Sequence, residues 1–370
     1  MAAPSRTHDT APAPTRTRLA LGLLVMVIVF VVALLWAKWL PYTAKVIGLG
    51  RSHAWSGGSI LEVGGVRPGD SPSWQAAVSF LLAYLVAVWK ALVAALLISA
   101  ALQVLIPRDW LLRALNRRGR WSSAVAGGLL STPSMMCTCC TAPVAAGLRR
   151  GGASTTASVA YWLGNPLLNP AVVAFLLLVA PWQWTAVRIV VGVLTVVAGA
   201  VLVGRLADRG RRADGDASDV PPVPAGSDQP DGAAAVAVRF VRTLTRMTLV
   251  LVPEYLAVVL LIGAFRGWLL PLARNGIGDG LPTVIAAMVV AAVLGTLFVI
   301  PTAGEIPIVQ GLAVVGLPPA VLGALLITLP AVSLPSMVMM QRSLGTRITT
   351  ATAVLVVLAG MLGGVVLWAL

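Results

Sequence analysis

The chain has 370 residues, of which 58% are hydrophobic and 11% charged, with a formal net charge of +14. Its mean hydropathy of +0.91 excludes an ordinary soluble domain, and several apolar runs approach the roughly 20 residues that a spanning helix needs, so the class is an all-α polytopic integral membrane protein. The alternation of an outer-membrane barrel is absent, and the basic excess reads as Arg and Lys on cytoplasmic loops, with no nucleic-acid partner.

In chain order, residues 1–18 are rich in Pro, Thr and Arg and predict a disordered cytoplasmic tail. Leu19–Leu40 predicts a first transmembrane helix, because its apolar core is longer than a signal-peptide h-region and no clear A-x-A site follows. Trp74–Ile106, a hairpin from Ser122 to Arg150, Ala153–Ala180 and Thr185–Leu206 make up a first membrane unit, residues 74–206. Residues 207–235 are polar and rich in Pro, Gly and Asp, as expected of a flexible cytoplasmic linker. The second unit, 236–370, holds Thr248–Leu270, a hairpin over Pro282–Gly316 and a final run at Ala351–Leu370.

The two units are related by a shift of 164 residues, which places Pro107 on Pro271, Pro143 on Pro307, Gly147 on Gly311, Gly152 on Gly316 and Pro166 on Pro330. Assigning the basic loops to the cytoplasm then orients them oppositely. Arg149 and Arg150 return the first hairpin to the inside, whereas no Arg or Lys stands at the matching place in the second. The expected fold is therefore two inverted-topology repeats, each with a broken, re-entrant-like helical hairpin, plus the extra N-terminal helix. The expected setting is a bacterial inner membrane, with a cytoplasmic N-terminus and the C-terminus outside.

Both hairpins are broken by proline, at Pro133 and Pro143 and at Pro301 and Pro307. Irregular backbone at membrane depth is tolerated where it lines a cavity, so matching breaks in two inverted halves point to a solute site. The first break carries all three cysteines, Cys137, Cys139 and Cys140. Clustered thiols suit a soft metal or metalloid such as Cu(I), Zn or trivalent arsenic as cargo, with Met135 and Met136 as neighbouring thioethers. The second break carries Glu305, an intramembrane carboxylate and hence a candidate for coupling or proton carriage. Glu254 is a second such candidate, although the 164-residue shift places Lys90 opposite it, so a structural ion pair is the competing reading. Asn165 and Asn169, in Gly164-Asn-Pro-Leu-Leu-Asn-Pro170, sit at another break, where they either satisfy backbone groups or present amides to solute; Ser333 is the counterpart of Asn169. No Gly-x-x-x-x-Gly-Lys-Ser/Thr motif is present, so ATP coupling would need another subunit. No cofactor is expected.

Cys137-Thr-Cys-Cys-Thr-Ala-Pro143, the Arg149-Arg-Gly-Gly-Ala-Ser154 turn, Asn165-Pro-Leu-Leu-Asn-Pro170, and Pro301 to Pro307 followed by Gly316-Leu-Pro-Pro319 resemble the signatures of the ArsP/YraQ-type predicted permease superfamily. The resemblance covers residues 75–345 and implies a permease, not an enzyme, with Cys137 and Cys139 matching thiols that bind trivalent organoarsenicals. Cys140 departs from the pattern, which more often has Gly or another small residue there. The leading expectation is a secondary transporter exporting a thiol-reactive solute by alternating access. The alternatives are a carrier of a small sulfur-containing anion and a transmembrane thiol–disulfide oxidoreductase, the latter expected to have paired cysteines in both halves. Its partners would be the solute and the lipid bilayer, and a homo-oligomer is compatible with the sequence.

Overall fold

The computed structural model describes residues 16–54, 60–67, 69–105, 113, 115–213, 233–269, 280–314 and 316–370, and these contain helices and no strand. Helices α1 (Arg16–Leu34) and α2 (Leu40–Ser52) run on through a π-turn at Leu35–Trp39. The first helix thus extends past the Leu40 expected from hydropathy. Pro41 does not stop it, because it falls in the first turn of α2, where a missing N–H costs little. His53, in the left-handed region at φ 50°, closes the helix.

Helix α3 (Trp74–Leu105) is followed by α4 (Arg120–Ser131), a 3₁₀ turn at Thr132–Ser134 and α5 (Thr138–Arg150). At 12 and 13 residues, α4 and α5 are only about 18–20 Å long. Neither reaches across a hydrocarbon core of about 30 Å. Helices α6 (Thr155–Leu167) and α7 (Pro170–Val179) follow, then α8 (Trp182–Leu194), a π-turn at Thr195–Gly199 and α9 (Ala200–Ala213). Helix α9 carries helical structure into the stretch read as linker, and the remainder of the stretch up to residue 232 lies outside the described residues. The tail, residues 1–15, lies outside them too.

After residue 232 come α10 (Ala233–Leu269), α11 (Leu281–Leu297), α12 (Glu305–Val314), α13 (Pro319–Ala331), α14 (Leu334–Leu344) and α15 (Thr346–Ala369). Six helices among the described residues are long and apolar enough to cross a membrane, and seven if α13 and α14, bent by 51° at their junction, count as one span. Large apolar side chains such as Leu82, Val86, Leu249, Val354 and Leu358 are exposed on the outside of the chain, where a bilayer would cover them. The protein is a multi-pass membrane protein.

The 164-residue shift also matches helix boundaries. It carries Thr155 and Leu167, the ends of α6, onto Pro319 and Ala331, the ends of α13, and the first residues of α7 and α8 onto those of α14 and α15. Helix α10 packs on α3, α4 on α6, α11 on α13 and α13 on α15, while α5 is held between α3 and α14. Bilayer helices associate by close packing of small residues instead of by hydrophobic exclusion from water. The α13–α15 contact shows this: a Cβ on Gly363 would sit 2.7 Å from Ile327 Cγ1 and 3.0 Å from the carbonyl oxygen of Gly323.

Candidate functional site

The first break runs from Met135 to Cys137. Pro133 sits in the first turn of the 3₁₀ helix, Met135 turns into the left-handed region at φ 49°, and Cys137 is the extended N-cap of α5. The second break runs from Phe298 to Gly304 and has its own left-handed residue, Ala303 at φ 67°. Non-glycine residues pay for that conformation, and it persists where the surroundings enforce it, most often at functional sites. Of the three such residues described, two lie in these breaks.

Asn165 enforces the first break. Its Oδ1 accepts from the Met136 N–H at 2.8 Å, and its Nδ2 donates to Ser134 Oγ. Asn169 plays a capping role: its Oδ1 accepts from Ala171 N at 3.0 Å and Val172 N at 3.4 Å. Its Nδ2 is buried without a partner. Ser333, the counterpart of Asn169, is likewise the N-cap residue of its helix, α14. Both asparagines are fully buried. The structure thus gives each of them a backbone role.

The three sulfurs converge. Cys137 Sγ lies 3.0 Å from Cys139 Sγ and 3.3 Å from Cys140 Sγ, with 4.0 Å between the latter two. All three are free thiols and buried. The extended N-cap followed at once by a helical turn brings all three thiols together. The three ligand atoms lie within 4.8 Å of one another, as a single soft centre would require.

Residues from distant helices surround the cluster. The Tyr84 hydroxyl, on α3, lies 3.2 Å from Cys139 Sγ and donates to the Ile300 carbonyl at 3.3 Å, tying the cysteines to the second break. Tyr255, on α10, donates to Cys139 Sγ at 3.6 Å. Thr138 accepts from Trp162 Nε1 at 3.0 Å and donates to Ser336 Oγ on α14 at 3.2 Å. Met136 and Cys137 of the first break, Ile300, Pro301, Thr302 and Ala303 of the second, and Glu305 just after it line one small pocket. The N-termini of α5 and α12 both open on it, and so both positive dipole ends face the same space.

Glu305 begins α12 and is buried at 1% exposure, and its Oε1 accepts from Arg188 Nη2 at 2.9 Å. Arg188, on α8, also donates to the carbonyls of Leu167 at 2.8 Å, Leu326 at 2.6 Å and Pro166 at 2.7 Å. One guanidinium therefore joins the end of α6, the middle of α13 and the start of α12. Sequence reasoning missed Arg188, although an Arg in the body of the apolar run Thr185–Leu206, far from the basic end at Arg205, was the available signal. It missed Lys38 in the first run for the same reason. Lys38 is buried, and its Nζ donates to Tyr42 Oη and Thr302 Oγ1, both at 2.9 Å. Glu254 lies on α10, but its side chain is outside the described residues. Lys90 stands over the rings of Trp36 and Trp89, at 5.9 and 5.8 Å.

Residues 73–368 match the ArsP_1 family, described as predicted permeases. The UPF0718 protein YraQ of Escherichia coli (strain K12) is 40% identical over 335 residues, which cover 90% of this chain and 91% of that protein. No solved structure matches the chain.

Proposed function

The chain belongs to the ArsP_1 family of predicted permeases, and from that premise we propose that it is a secondary transporter exporting a thiol-reactive solute, such as a trivalent arsenical. The observation that carries the proposal is the convergence of three free, buried sulfurs on a pocket that the second break also lines. A solute entering as an arsenic hydroxide would exchange each hydroxide for one cysteine sulfur. The sulfur–arsenic bond forms, the arsenic–oxygen bond breaks, and the departing hydroxide takes the thiol proton away as water. Release reverses these steps, so no net oxidation or reduction occurs.

The architecture we assign is a pair of inverted repeats, residues 74–206 and 236–370, preceded by an extra N-terminal helix and joined by a cytoplasmic linker. The matching helix boundaries of the two units support it. Rocking of the units would expose the pocket to either side in turn. Glu305 and Arg188 tie α12 to α6 and α13 across the units, which suits Glu305 to coupling: a proton on its carboxylate would remove the charge that holds Arg188. The setting we assign is the bacterial inner membrane, with the N-terminus inside and the C-terminus outside. The redox alternative is weakened because all three cysteines fall in the first unit.

Growth of a metalloid-sensitive host gives the test. Cells expressing the protein are challenged with trivalent organoarsenicals, arsenite, antimonite, Cu(I), Hg(II) and thiosulfate, beside Cys137→Ser, Cys139→Ser and Cys140→Ser variants matched for membrane level. Protection against at least one agent that the serine variants lose is the expected result. Equal protection by the variants would remove the thiol site from the reading.

A further inference from the structure

Beside the pocket, bonded to Thr302 of its lining, stands one buried charge without an ion-pair partner among the described residues. Arg188 and Glu305 cancel each other in direct contact. Lys38 has no such partner: among the described residues it forms no ion pair, and its two hydrogen bonds go to the neutral hydroxyls of Tyr42 and Thr302, with the Tyr42 ring centroid 4.8 Å away. It is nevertheless only 5% exposed. An ammonium inside a membrane protein is disfavoured without a counter-charge, and where one is kept it marks a ligand or ion path.

The placement is built. Lys38 sits in the π-turn at Leu35–Trp39, an insertion of the kind frequently found at functional sites. That turn reaches both breaks at once: Trp39 Nε1 donates to the Pro133 carbonyl at 2.7 Å, beside the first break, and Lys38 donates to Thr302 in the second. Thr302 and Cys137 line the same pocket. The N-terminal helix lies outside the 73–368 family match, yet it supplies this charge.

Resting on the transporter reading above, we infer that Lys38 is a specificity-determining residue and that the cargo is a thiophilic anion. Such a solute joins a soft atom, which the cysteines take, to a negatively charged group, which the ammonium takes. An arsenical bearing a carboxylate and a sulfur oxyanion with a terminal sulfur share this chemistry. A neutral soft solute meets the cysteines but leaves the ammonium unbalanced.

The test uses purified full-length protein in nanodiscs and a matched pair of trivalent arsenicals, phenylarsine oxide and its 4-carboxy derivative, with binding measured by calorimetry. A second pair, ethyl and 2-sulfonatoethyl methanethiosulfonate, reads the same preference as the rate of thiol modification, followed by mass spectrometry. In that reaction the cysteine sulfur forms a disulfide with the transferred alkylthio group and methanesulfinate leaves. We expect the wild type to prefer the anionic member about tenfold or more, Lys38→Arg to keep the ratio, and Lys38→Met to bring it to about one. Monodisperse elution of each variant checks folding. A ratio near one in the wild type overturns the inference, as does a ratio that Lys38→Met leaves intact. A loss common to both members would assign the ammonium to the cysteines instead of the cargo. If neither arsenical binds, arsenicals fall as cargo, and the methanethiosulfonate ratio still decides the role of Lys38.

Discussion

The Arg188–Glu305 pair permits a quantitative test of how α8 and α12 are held together. Both side chains are essentially without exposure, at 0% and 1%. Removing one partner of a buried pair typically costs about 3–5 kcal/mol, because the other charge is left uncompensated. Arg188→Met also strips donors from three buried carbonyls, at 2.8, 2.6 and 2.7 Å, each worth about 1 kcal/mol. Its expected cost is therefore at or above the upper end of that range. Glu305→Gln keeps an acceptor for Arg188 and leaves the carbonyl bonds in place, so its expected cost is about 3 kcal/mol. In the double variant no charge is stranded, and its loss should fall short of the sum of the singles by about 2 kcal/mol. Reversible unfolding in mixed detergent micelles measures all three. Additivity to within about 0.5 kcal/mol, the behaviour of independent sites, would refute a coupled pair.

Two further substitutions probe the frame around the site. Asn165→Leu removes the acceptor of the Met136 N–H and the donor to Ser134. It should cost about 1–3 kcal/mol through a buried unsatisfied group and raise the rate at which the cysteines react with a small thiol reagent; unchanged reactivity would show that the break holds its shape without it. Gly363→Leu places a side chain where Ile327 Cγ1 would lie 2.7 Å from its Cβ. It should destabilise by about 1–3 kcal/mol, as overpacking does, whereas Gly311→Ala, with nothing within 4 Å, should leave the melting temperature nearly unchanged.

Much of the frame was legible because bilayer physics acts on long segments. Runs of apolar residues marked the spans, and Pro133 and Pro301 marked the two breaks near Met135–Cys137 and Phe298–Gly304, whereas Pro143 and Pro307, expected to break the hairpins too, lie within α5 and α12. Helix ends were harder. The first run was expected to end at Leu40, but the helix continues through the π-turn to Ser52. The cysteines announced themselves by composition alone, and yet their joint convergence depends on one local fact, that Cys137 is extended while Thr138 begins a helix. What sequence pattern could not supply was partnership across the chain. Glu305 was visible as an intramembrane acid, whereas its partner stands 117 residues away on another helix. Likewise Lys38 meets Thr302 at a separation of 264 residues. Such pairs are set by tertiary packing, which no local periodicity encodes.

Flux into proteoliposomes shows whether the cysteine cluster carries the cargo. Phenylarsine oxide uptake is followed at matched amounts of wild-type protein and of a variant with Cys137, Cys139 and Cys140 all replaced by serine. Saturable uptake is expected of the wild type and the protein-free background of the serine variant. Equal saturable uptake by both would contradict that role of the cysteines.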